Sequence, residues 1–208
     1  MGSTKKSSIA ARSGTATRIL DVAENLVQVR GFNAFSYADV AKAVGIQKAS
    51  LHHHFATKAD LGVALTERYR RVFLDALRAI ESGTDDGLER LEQYAELYDA
   101  VLRDGRMCMC GMLASDIATL PSPMRASIAE FFSENVEWLG RILAQGKRRG
   151  EIVFDGSAAS MAALIVSSLE GAMLVARASG DLRHFEDVVA RLLERLRPAK
   201  SKPKRRSA

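Results

Sequence analysis

Apolar positions along the chain recur with a helical period, and glycine, proline and short polar residues punctuate them. From about Thr17 to Arg30, residues Ile19, Val22, Ala23, Leu26 and Val27 fall at the i, i+3, i+4, i+7, i+8 spacing of one buried helix face. Gly31 stops that pattern, and Phe32 and Phe35 are expected to fold back onto it. Ser36 with Asp39 three residues on has the spacing of a capping box, so a second helix starts there, with Val40 and Val44 one turn apart. Gly45 closes it in the left-handed conformation that ends helices. Ile46 restarts the apolar pattern, and Leu51 and Phe55, four apart, carry it through a third short helix. Thr57 caps a fourth, which runs through Leu61, Leu65, Tyr69 and Phe73 to about Ile80.

Beyond a loop at Gly83 to Gly87 every periodic segment is again helical. Leu88, Leu91, Tyr94, Ala95 and Tyr98 mark one helix, broken at Gly105, and Cys108 to about Ala118 forms a short one. Pro121 and Pro123 precede a long amphipathic helix from Met124 to about Arg149. Asp155 or Ser157 caps the next, which ends before Gly180, and the last spans about Leu182 to Arg197, stopped by Pro198. Sustained strand alternation and internal repeats are absent from the sequence, so the expected fold class is all-α.

The outward positions of the third helix carry the most specific chemistry. Gln47, Lys48, Ser50, His52, His53 and His54 are donors or mixed donor-acceptors, with no carboxylate among them. A helix entering the major groove needs such a surface, because it must bond base edges and phosphates without repelling the backbone. An ordinary helical hairpin with a solvated polar face has the same pattern, which is permissive by itself.

Residues from about Thr17 to Arg71 resemble the N-terminal DNA-binding domain of the TetR family of bacterial transcriptional repressors. The resemblance is carried by Ile19 to Ala23, Gly31-Phe32, Phe35-Ser36, Asp39-Val40-Ala41, Val44-Gly45-Ile46, Ser50-Leu51, His54-Phe55, Lys58 and Leu61, without a gap. The family usually has a phosphate-contacting Tyr after the Leu of its recognition helix, where this chain has His52. The resemblance implies a three-helix helix-turn-helix domain plus a larger helical ligand-binding and dimerisation domain, about nine helices in all. It also implies a homodimer through the last two long helices, acting on a palindromic operator in double-stranded DNA.

Composition narrows the class. The 208 residues are 47% hydrophobic and 26% charged, enough for a real core in one or two domains. No apolar run approaches the length of a membrane span and no signal-peptide core is visible, so a cytoplasmic protein without a membrane partner is expected. The net charge of +5 is uneven: residues 1–18 and 197–208 hold ten basic residues and no acid, leaving 20 basic against 25 acidic residues in the body. Within that body residues 32–71 are locally positive, as phosphate attraction requires. Residues 1–14 are expected to be a disordered basic arm and 199–208 a basic disordered tail, which solubility alone also explains. Between them, 15–60 is the expected DNA-binding domain and 61–198 the ligand-binding and dimerisation domain.

The last two helices carry more apolar surface than one body needs, and Ser167, Ser168, Gly171 and Ala172 permit close backbone approach. A four-helix dimer interface accounts for this, as does a monomer core. The only thiols, Cys108 and Cys110, fall where a helix begins, near Arg103 and Arg106. Both surroundings favour a thiolate, and the stretch from Met107 to Leu113 resembles a segment in one branch of the family, where some relatives sense electrophiles or oxidants through the cysteine matching Cys108. Two buried cysteines acting as small hydrophobes are the other reading. An unknown small-molecule inducer is expected between the middle helices, against some of Tyr94, Tyr98, Met112, Phe131, Trp138 and Met173, each of which also suits plain core.

Consecutive helical residues point about 100° apart, so His52, His53 and His54 do not converge on one metal ion. Nucleophile elbows, phosphate-cradling glycine loops and paired carboxylates are absent, and neither catalysis nor a cofactor is expected. The expected function is a transcriptional repressor released from its operator by a small-molecule or electrophile/redox inducer. Lys48, Ala49, Ser50 and His53 are expected to face base edges; Ser36, Tyr37, His52, His54 and Lys58 to hold phosphates, with Thr17 from the first helix. The alternative is a helical enzyme or interaction protein whose N-terminal hairpin is only structural.

Overall fold

The computed structural model describes residues 3–199. They form α1 (Ser3–Arg30), a 3₁₀ turn (Phe32–Ala34), α2 (Tyr37–Val44), α3 (Lys48–His54), α4 (Lys58–Gly83) and α5 (Gly87–Arg103). Then come α6 (Met109–Ser115), a second 3₁₀ turn (Ile117–Thr119), α7 (Ser122–Arg149), α8 (Ala158–Ser179) and α9 (Arg183–Leu196). There is no strand among the described residues, and the expected all-α class holds.

The local signals act as their chemistry requires. Ser36 and Asp39 form a reciprocal capping box at the start of α2, and Gly45 ends that helix at φ 76°. Thr57 and Asp60 repeat the device at α4: the Asp60 carboxylate accepts the Thr57 N–H at 2.9 Å, and the Asp60 N–H donates to the Thr57 hydroxyl at 3.1 Å. Ser157, rather than Asp155, caps α8. One boundary differs. The segment 1–14, expected to be a disordered arm, is helical from Ser3 onward. Its Ala, Lys and Arg residues are strong helix formers but present no apolar face, so periodicity does not reveal the turns before Thr17. The expected tail at 199–208 lies outside the described residues, apart from Ala199.

The chain divides into two compact units, one of residues up to 76 with 100–134, the other of 77–99 with 135 onward. The first contains all of the expected DNA-binding segment. Its core holds Ile19, Ala23, Val27, Val40, Leu51, Leu61 and Leu65, each buried. Burying Leu51 contributes about 2 kcal/mol by area alone. Two arginines fasten α1 to the rest of this unit. Arg18 donates to the Val44 carbonyl at 2.7 Å, and Arg68 of α4 pairs with Asp21 at 2.7 Å and Glu24 at 2.8 Å. At Gly62 α4 runs close against its neighbours, since a Cβ there would lie 2.5 Å from Met124 Sδ and 2.9 Å from Phe32 Cζ.

In the second unit α8 packs along α9. Ile165, Val166, Leu169, Ala172, Met173 and Ala176 of α8 are buried, whereas Leu164, Leu174 and Val175 are about half exposed. The expectation that no apolar run reaches membrane-span length is corrected here. By length and composition α8 is long and apolar enough to cross a bilayer, because both of its faces, the buried one and the exposed one, are apolar.

Candidate nucleic-acid interface

The interface is built on α2, the turn at Gly45 and Ile46, and α3. The buried residue of α3 is Leu51, whereas Gln47, Lys48, Ala49, His52 and His53 are exposed and Ser50 and His54 are partly so. Gln47 occupies the N-cap position without using its side chain as a cap, so its amide stays on the surface with the others. The acid-free face expected from the sequence is therefore outward.

Internal hydrogen bonds lock the orientation of that face. The Tyr37 hydroxyl lies 2.8 Å from the Phe55 carbonyl and 2.6 Å from that of Thr57, joining the first turn of α2 to the end of α3. Burial, and secondarily the charge of Asp60, pushes the Tyr37 phenol up to about 12. The His52 ring meets Tyr37 edge-on at 4.9 Å, and its Nδ1 lies 2.9 Å from the Ala56 carbonyl. The Lys58 ammonium donates to the carbonyls of Phe32 at 2.6 Å and Phe35 at 2.5 Å, and lies over both rings. Desolvation lowers its pKa against the opposing pull of Asp116 and Asp39.

Two expected phosphate contacts are thus corrected in placement. Tyr37 is buried and its hydroxyl is engaged by backbone carbonyls, and Lys58 points inward to hold the turn before α2. Ser36 is exposed but bonded to Asp39, whose carboxyl is held below the usual range by the Ser36 backbone N–H and then by its hydroxyl. Thr17 is exposed on α1. Arg18 was missed, because its partner is a backbone carbonyl, which leaves no trace in a sequence.

The sensing candidates fall in both units. Cys108 and Cys110 are buried, with Cys108 at the start of α6. The Tyr69 hydroxyl donates to Cys108 Sγ at 3.8 Å and accepts the Met109 N–H at 3.4 Å. Burial foremost raises the Tyr69 phenol well above its ordinary value, with the neighbouring Cys108 adding to it. Arg106, expected near the thiols, bonds Gln28 and Asp104 instead. Met112 and Phe131 belong to the first unit, and Phe131 packs against Tyr69 and Phe73. Tyr94, Tyr98, Trp138 and Met173 belong to the second and are buried. There the Tyr94 hydroxyl joins that of Tyr98 at 3.0 Å and the Asn135 side-chain carbonyl at 2.9 Å, while its ring stacks on Trp138. A small apolar pocket of this unit has a different lining, which includes Leu91, Ile165, Leu169 and Leu193. Among the described residues no three His, Cys, Asp or Glu groups converge as a metal site.

Known proteins share this architecture. Residues 19–65 match the family model described as bacterial regulatory proteins, tetR family, and residues 87–192 match the tetracyclin repressor-like C-terminal domain. A solved TetR-family transcriptional regulator from Agrobacterium tumefaciens is 34% identical, with a TM-score of 0.87 over 90% of this chain and 100% of that one. Another, from Legionella pneumophila, is 34% identical, with a TM-score of 0.77 over 86% of this chain and 96% of that one. The HTH-type transcriptional repressor NemR of Escherichia coli (strain K12) is 24% identical over 180 residues, 85% of this chain and 90% of its own length.

Proposed function

The chain belongs to the TetR family of bacterial regulatory proteins and is a DNA-binding transcriptional regulator, and from that premise we propose that it is a cytoplasmic, homodimeric, non-catalytic repressor. One observation carries the reading: α3 turns an acid-free row of donors outward on a scaffold fixed by Tyr37, Lys58 and Arg18. Lys48, Ala49, Ser50 and His53, joined by Gln47, face base edges. Ser36, His52, His54 and Thr17 contact phosphates, which position the helix while the bases specify. In this reading 15–60 is the reading head and 61–198 the sensing and dimerising part.

Exposed Leu164, Ser167, Leu174 and Val175, with the half-buried Ser168 and Gly171, form a stripe on one face of α8, and we assign it to the two-fold contact. It explains an apolar helix surface without a bilayer. Two copies then present two α3 helices to adjacent major-groove segments. An inducer tilts α4 and changes the spacing of the heads, which works only if it binds the two spacings with different free energy. Cys108 beside Tyr69, or the hydrogen-bonded Tyr94, Tyr98 and Asn135 group, receives it. The curated relatives NemR, DhaR and KstR2 are named as transcriptional repressors, which supports repression here.

Selection of bound sites from random duplex DNA tests this reading. A recovered palindrome, bound with steep salt dependence, is expected. Binding without sequence preference supports the rival, a protein whose hairpin is only structural.

A further inference from the structure

We propose that operator binding takes up a proton at His52 of each protomer, so that the imidazolium, not the neutral ring, holds the DNA backbone. This rests on the reading of α3 as the DNA-facing helix. It is carried by the contact between His52 Nδ1 and the Ala56 carbonyl at 2.9 Å. A carbonyl oxygen can only accept, so Nδ1 must keep its hydrogen to make this bond. The neutral ring has one N–H, and Nε2 is then left with a lone pair.

His52 is exposed, and no described group bonds its Nε2. A phosphate oxygen brought to that nitrogen meets a lone pair and is repelled. One proton from solvent converts Nε2 into a charged N–H that donates to the phosphate, with no other bond made or broken. The Nδ1 contact persists in both forms, so the ring does not have to turn. Histidine is the side chain whose charge changes in the physiological pH range.

The titratable and charged groups that face His52 come from three helices. Lys48 stands four residues before His52 on the same face of α3, and His53 and His54 follow it. A phosphate oxygen between Lys48 and His52 would be contacted by both. From α2, Tyr37 offers only its ring, since its hydroxyl is engaged by carbonyls. At the start of α4, Lys58 is turned toward Phe32 and Phe35, and Asp60 is tied up in the Thr57 cap.

The test measures affinity for a duplex recovered by the wild-type protein from a random pool at pH 6.5, then followed from pH 6.0 to 8.5 at fixed ionic strength. Wild-type affinity is expected to fall with rising pH by up to about tenfold per protomer per unit. His52→Gln and His52→Tyr, which offer donors that do not titrate in this range, are expected to flatten that slope, whereas His184→Gln, at an exposed position of α9, keeps it. Calorimetry of the wild type in two buffers of different ionisation enthalpy reads the uptake without any variant. A slope unchanged in both His52 variants, or no net proton uptake near pH 7.5, overturns the proposal while leaving the DNA reading intact. Failure to recover any preferred duplex at any pH overturns both.

Discussion

The Tyr37 hydroxyl donates to a carbonyl that belongs to the cap residue of another helix, Thr57, at 2.6 Å. The bond links the beginning of α2 to the residue that opens α4, with α3 held in the loop between them. Its proton is unusually hard to remove, because burial and then Asp60 push the phenol from 10.0 to about 12. A folded pKa raised in this way contributes stability that is fully present below pH 10 and is lost as pH rises through about 12. Denaturation followed between pH 9 and 12 should therefore show an alkaline loss of stability that Tyr37→Phe lacks. Equal alkaline profiles for the two proteins would contradict the assignment.

Lys58→Met keeps the stem over the two phenylalanine rings and removes the ammonium. The carbonyls of Phe32 and Phe35 then lose a charged donor, and stability should fall by about 1.5–3 kcal/mol in denaturant unfolding. A variant of unaltered stability with weakened operator binding would return Lys58 to the role of a phosphate contact.

Leu174 is 56% exposed on the outward stripe of α8. Leu174→Glu should give monomers in sedimentation experiments and lower operator affinity by about two orders of magnitude, the effect of losing bivalent engagement. A wild-type monomer, or a variant that remains dimeric, would show that the stripe serves another purpose.

Cys108 is 2% exposed, with the Tyr69 hydroxyl against its sulfur. If it is the inducer site, quinone or peroxide treatment should add mass at Cys108, seen by thiol-specific mass spectrometry, as operator DNA is released. Cys108→Ser should stay on the operator at the same dose. Release of DNA by that variant would leave Cys108 a plain core residue.

What the sequence made legible was local. The Ser36 and Asp39 box, Gly45 in its left-handed turn and the Thr57 cap each act within a few residues, so their spacing is their signature. Leu51 was identifiable as core because a short helix with one apolar residue per turn has one way to face inward. The roles of Tyr37, Lys58 and Arg18 were not legible. Their acceptors are backbone carbonyls 18 to 26 residues away, and every residue type carries one. Residue type suggested phosphate ligands for Tyr37 and Lys58, and burial made them internal ties instead. The sensing candidates were the least legible, since Tyr94, Tyr98 and Trp138 satisfy one set of spacings whether they line a pocket or fill a core.

Guanine methylation interference on the selected duplex addresses the central claim, that α3 reads DNA and is presented twice. The wild type should give two blocks of contacts related by a dyad, their centres about 10 base pairs apart. The double variant Lys48→Ala, Ser50→Ala should lose contacts in both blocks together. A single block without a dyad, or a pattern indifferent to those two residues, would contradict the claim.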